Sequence, residues 1–104
     1  MIEGDNMPAY FVADIEVTDS ELFDEYRRDV LEVDRRYGGK YIVRGGQTTV
    51  LEGEWAPHRL VILEFADMAS LTRWYESPEY ARLKIIRQRS SRSHVVAVEG
   101  VPTG

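Results

Sequence analysis

The chain has no cysteine. Disulfides, thiolate metal centres and cysteine nucleophiles are therefore excluded, and a reducing compartment suits such a protein. Histidine is nearly as scarce. The two present, His58 and His94, lie in different segments without the short spacing of a zinc motif. No metal and no organic cofactor is expected. No apolar run approaches the roughly 20 residues that a membrane helix needs, and the opening MIEGDN is too acidic and polar for a signal peptide. Positive charge is not in excess either: 13 Lys and Arg face 18 Asp and Glu, a net charge of -5, which disfavours nucleic acid as a partner. A cytoplasmic protein with neither nucleic-acid nor membrane partner is the expectation.

What remains is the composition of one ordinary globular domain: 104 residues, 43% hydrophobic and 30% charged. Residues 1–6 are expected to form a flexible leader, followed from Met7-Pro8 by a single domain over 7–104. Within it, AYFVADIEV (Ala9–Val17) alternates, with Phe11, Ala13, Ile15 and Val17 on one face, and predicts a strand. TDSE then supplies Thr18 or Asp19 as a helix cap. Leu22, Phe23, Tyr26, Val30, Val33 and Tyr37 follow at helical spacing, and Gly38-Gly39 ends the helix. Lys40–Arg44 and Arg59–Phe65 predict two more strands, separated by a turn-like LEGEWAPHR. Asp67 caps a helix carrying Leu71, Trp74 and Tyr75. Ser77-Pro78 restarts it at an angle, with Tyr80, Leu83 and Ile86 as its stripe, and His94–Val98 is the last strand.

The order is β-α-β-β-α-β. Right-handed crossovers put both helices on one face of a four-stranded antiparallel sheet, the ferredoxin-like α+β arrangement. The other face is left showing Tyr10, Val12, Leu60, Ile62, Val96 and Val98, more apolar surface than a monomer usually exposes. A second copy packed on it face to face gives a homodimer and a dimeric α+β barrel with an enclosed interior.

The stretches RRYGGKYIVRGGQTTVLEGEW, HRLVILEF, WYESPEYARLKIIRQRSS and VAVEG, in that order and spacing, resemble the domain of unknown function 1330 family. The resemblance covers nearly all of the chain after Met7. Ser20 departs from it where a proline often follows the capping Asp19. It implies membership of the dimeric α+β barrel superfamily, which includes cofactor-free monooxygenases, small isomerases, haem enzymes and proteins without known activity. It implies no particular reaction.

Candidate site residues follow from the predicted faces. Asp14 and Glu64 would face the barrel on adjacent strands, where burial and like charge raise one carboxyl towards a useful acid-base range. Arg44, taken to share a face with Ile42, would reach towards Glu64 and hold negative charge. Tyr10, Trp74, Tyr80 and His94 are the further side chains expected around a small, partly apolar or anionic ligand. The plainer alternatives are a fixed Arg44–Glu64 ion pair, an aromatic core at Trp74, Tyr75 and Tyr80, and hydrogen-bonded histidines. The basic run Arg82, Lys84, Arg87, Arg89 and Arg92 has as its plainer reading a solvated helix face. Gly45-Gly46 lies between strand segments and lacks the context of a phosphate loop, so it is read as a bend, with Thr48–Leu51 continuing as an arm against the partner. No serine has a hydrolase elbow around it. The functional alternatives are thus an enzyme or binding protein with Glu64 or Asp14 as acid-base, or a non-catalytic dimeric interaction module with a filled interior.

Overall fold

A computed structural model describes residues 7–102; the expected leader, residues 1–6, lies outside the described residues. The elements run β1 (Ala9–Val17), α1 (Ser20–Arg36), β2 (Lys40–Arg44), β3 (Leu60–Phe65), α2 (Met68–Tyr75), α3 (Pro78–Ser90) and β4 (Ser91–Glu99). The strands form one antiparallel sheet in the order β2-β3-β1-β4. This is the expected ferredoxin-like arrangement, with the second helical region split into α2 and α3.

Local chemistry sets the boundaries. The side chain of Asp19 accepts from the Leu22 amide (3.1 Å) and caps α1, in preference to Thr18; such a cap contributes about 1 kcal/mol. Gly38 takes φ +86° after the last turn, a left-handed conformation that glycine adopts without a Cβ penalty. Asp67 caps α2 and Ser77 caps α3, with Pro78 opening α3 where its missing N–H costs nothing. β4 begins directly where α3 ends, three residues before the expected start at His94, because the Ser91 hydroxyl bonds back to the Arg87 carbonyl (2.5 Å) and turns the chain without a loop.

Phe11, Ala13, Ile15, Val61, Leu63 and Phe65 point from the sheet into the helix layer and are buried. They meet Phe23, Tyr26 and Val30 of α1, Leu71 and Trp74 of α2, and Tyr80 and Leu83 of α3. Trp74 is the hub. Phe11 meets it edge-on at 5.0 Å and Tyr80 tilts over it at 4.4 Å between ring centroids, contacts worth about 0.5–1.5 kcal/mol each beyond the area they bury. Trp74 and Tyr80 are therefore core residues first. Among the described residues the opposite sheet face carries no helix, and Val96 and Val98 stand 60% and 49% exposed there.

Candidate functional site

β2 does not pair with β3 in simple alternation. Lys40 pairs with Glu64 and Tyr41 with Leu63, but Val43 pairs with Ile62 and Arg44 with Val61, so Ile42 is an extra residue in a β-bulge. A one-residue slip moves every later side chain to the other face. Arg44 thus lies on the helix side of the sheet, not with Glu64 as the alternation predicted. The expected Arg44–Glu64 pair is absent. Glu64 instead accepts a hydrogen bond from the Tyr10 hydroxyl on the open face (3.0 Å).

On the helix side, Arg44 meets Arg27 of α1 and Arg59, which immediately precedes β3. The three arginines and the Tyr41 and Tyr26 rings border a cavity of about 30 Å³ floored by Phe11, Ile15, Phe23, Val30, Val61 and Leu63. Among the described residues no carboxylate lines it. Arg27 and Arg44 are exposed at the rim and Arg59 is half-buried. Two of the guanidinium groups lie over aromatic rings, Arg27 Cζ 5.3 Å from the Phe23 centroid and Arg44 Cζ 5.1 Å from that of Tyr41. Burial lowers the Arg59 pKa, and the like charges of Arg27 and Arg44 lower it further.

Gly45 explains the Arg-Gly-Gly sequence. Its φ is +68°, and a Cβ placed there would meet the Arg59 guanidinium, with Cζ at 2.9 Å and Nη1 closer still. The Gly45 amide donates to the Leu60 carbonyl (2.7 Å). The glycine therefore lets the Arg59 side chain cross the strand end and enter the cavity. Residues 46–58 form no strand, so the expected continuation over Thr48–Leu51 is an irregular, exposed segment instead.

Behind Tyr41 lies Asp34, 1% exposed. The Tyr41 hydroxyl donates to its Oδ2 (2.6 Å) and the Trp74 indole N–H to its Oδ1 (2.8 Å). Burial pushes its pKa up to about 6, against the opposing effects of those two hydrogen bonds and of nearby Arg44. The Tyr41 hydroxyl is raised in turn by burial and by Asp34. The sequence does hold a signal for Asp34. It follows Phe23, Tyr26 and Val30 at the next position of the buried α1 stripe, where a carboxylate is out of place.

Asp14 and Glu64 share the open face but not a site. Glu64 pairs with Tyr10, four residues along β1 from Asp14, which at about 3.4 Å per residue separates them by roughly 14 Å. Nor is the Asp14 pKa raised. Burial pushes it up, but hydrogen bonds from the Trp55 indole N–H (2.9 Å), the His58 amide (2.9 Å) and the Arg59 amide, together with the His58 ring, hold it below the usual carboxylate value. His94 lies beside this group; Asp14, Glu16, Trp55, His58, Arg92 and His94 border a depression of about 320 Å³. Of the sequence-named residues the structure brings together Asp14 with His94, Tyr10 with Glu64, and Trp74 with Tyr80.

The element order and sheet topology define a ferredoxin-like α+β domain. The chain belongs to the family described as Domain of unknown function (DUF1330), whose sequence model matches residues 8–101. Solved structures agree on the fold. A protein of unknown function from Rhodopseudomonas palustris superposes with a TM-score of 0.72 at 18% identity, covering 95% of this chain and 85% of that one. A dabb family protein with a ferredoxin-like fold from Mesorhizobium loti gives 0.58 at 17%, covering 94% and 99%. A hypothetical protein from Arabidopsis thaliana gives 0.62 at 12%, covering 96% and 94%. No curated protein matches the chain in sequence.

Proposed function

We propose that this protein binds a small, partly apolar molecule by its carboxylate or similar oxyanion, in the cavity between α1 and the sheet, and is equipped to exchange a proton with it. Arg44, Arg59 and Arg27 hold the negative charge, and Asp34, acting through Tyr41, is the titrating group. The observation that carries this is that three arginines line one apolar-floored cavity whose lining, among the described residues, holds no carboxylate, the nearest partner being Asp24 beside Arg27 at 4.0 Å. Like charges held together cost free energy that a bound anion offsets, and planar guanidinium groups suit a carboxylate through paired hydrogen bonds. A volume of about 30 Å³ is room for one or two waters. The anionic head fits there, and the body of the ligand lies out along the exposed rim arginines.

The protein acts as a homodimer in this proposal. The open sheet face is the interface, with Val12, Leu60, Ile62, Val96 and Val98 supplying its apolar surface; the exposure of Val96 and Val98 supports that assignment. Asp14 and Glu64 then lie at opposite ends of the enclosed interior, apart from the arginine cavity.

The test is thermal denaturation with small aliphatic and aromatic carboxylates against chloride at matched ionic strength, on wild type and Arg44→Ala. The expected result is a rise of several degrees in wild type that Arg44→Ala abolishes. Proton uptake should accompany binding near pH 6.5, because the anion offsets the effect of Arg44 on Asp34. No stabilisation by any of these anions, or an undiminished response in Arg44→Ala, overturns the proposal.

A further inference from the structure

The α3 stripe also carries a charge out of place. Arg87 follows Tyr80 and Leu83 at the next buried position of α3, and it is 2% exposed. The expected solvated helix face holds for Arg82, which is exposed on α3 and pairs with Asp29 at 3.0 Å; Arg92 is exposed too but lies on β4, not on a helix, and pairs with Glu16 at 3.5 Å. Arg87 has no carboxylate partner among the described residues. Its Nε donates to the Tyr80 hydroxyl (3.3 Å), which is itself paired with the Tyr26 hydroxyl (2.9 Å). The buried carboxylate of the core, Asp34, is engaged by Tyr41 and Trp74 instead.

The terminal nitrogens of Arg87 have no acceptor among the described residues, yet no fully buried side-chain nitrogen there lacks a partner. The small exposed part of Arg87 is therefore its guanidinium tip. That tip faces a depression of about 380 Å³ bordered by Tyr75, Gln88, Ser91, Ser93 and Val95. None of these is acidic. Because the Ser91 hydroxyl donates to the Arg87 carbonyl, the Ser93 hydroxyl is the donor to Ser91 Oγ (2.8 Å) and would exchange that bond for one to an anion; Lys84 lies close by with its Nζ 3.9 Å from the Tyr75 ring centroid. Glu76, the acidic residue nearest in sequence to Tyr75, borders a different depression.

We infer that the Arg87 pocket is a second oxyanion subsite, where the guanidinium tip, the Gln88 amide and the Ser93 hydroxyl receive a compact phosphate or carboxylate group. A guanidinium withdrawn from water and lacking a counter-charge is stabilised most by an anion that reaches it through the depression it borders. The subsite shares no lining residue with the arginine cavity and does not depend on that cavity binding anything.

The test uses the full chain, with inorganic phosphate and acetate as separate probes against chloride at matched ionic strength. Readouts are the Arg87 Nε–H resonance, the Ser91 and Ser93 amides, and the melting temperature. Phosphate is expected to shift these resonances saturably in wild type and in Arg44→Ala alike. Ser93→Asp places a carboxylate at the pocket without touching the core. It is expected to raise the melting temperature by several degrees and to abolish the phosphate response. A response to acetate equal to that to phosphate assigns the subsite to oxyanions in general, and phosphate alone assigns it to phosphate groups. No saturable shift with either probe, or a phosphate-induced shift of these resonances that survives Ser93→Asp combined with Arg44→Ala, overturns the inference.

Discussion

Asp34→Asn isolates the titrating group in the core. In the fold the Asp34 pKa is raised from an ordinary 3.8 to about 6, with burial the main cause. Folded protein then keeps a proton that the unfolded chain releases. The resulting stabilisation is complete below about pH 4 and is lost as pH rises through about 6. A shift of about two pH units at about 1.36 kcal/mol each spans about 3 kcal/mol in all, of which about 2 kcal/mol falls between pH 4.5 and pH 8. Asparagine is neutral throughout and similar in shape. Its oxygen can accept from the Trp74 indole and its amide can donate to the Tyr41 hydroxyl, so both partners stay occupied. Urea unfolding followed by tryptophan fluorescence, at one protein concentration and stepped pH, reads the difference between wild type and variant. The constant offset from altered hydrogen bonding drops out, and Asp34→Asn should gain about 2 kcal/mol on wild type from pH 4.5 to pH 8. Parallel profiles would show that Asp34 titrates normally. A divergence of opposite sign would show that Arg44 and the two donors outweigh burial.

Gly45→Ala should cost roughly 1–3 kcal/mol in denaturant unfolding, since it places a Cβ at positive φ and against the Arg59 guanidinium. Gly46→Ala, with nothing within 4 Å of the added atom, is the control and should cost less than about 1 kcal/mol. Val96→Lys puts a charge on the exposed open face and should halve the mass by light scattering at micromolar concentration while leaving the circular dichroism of the fold intact; a wild type already at the mass of one chain would refute the proposed dimer.

The elements were legible because their signals are local. Alternation in AYFVADIEV, the Asp19, Asp67 and Ser77 caps and the Ser-Pro restart each act within a few residues, and each boundary they set is seen in the fold. The position of Arg44 was not legible, because it depends on a bulge. Nothing within KYIVR says that Val43, not Ile42, will sit opposite Ile62; the pairing with β3 decides it. The consequence is large. One extra residue takes Arg44 from the open face, beside a carboxylate, to the helix side, beside two more arginines. The separation of Asp14 from Glu64 has the same origin: both lie on the open face as alternation requires, but strand register places them at its two ends.

Asp34 and Arg87 bear most directly on what the core is for. Each occupies a stripe position that an apolar residue would fill, one on α1 and one on α3. Opposite charges buried in one core cost least when paired, and replacing both with apolar groups is often neutral or stabilising. Here they are held apart. Asp34 accepts from a phenol and an indole, and Arg87 donates to a phenol through Nε alone among the described residues, with the Tyr26–Tyr80 hydroxyl pair between the two helices. Neutral partners leave each charge available to the cavity beside it: Asp34 through Tyr41 to the three-arginine cavity, and Arg87 directly to the depression at β4. Direct pairing would quench both. The arrangement forgoes an ion pair and leaves an ionisable carboxyl and a guanidinium beside two separate openings. On physical grounds, that trade is the strongest reason to regard this core as a binding apparatus as well as packing.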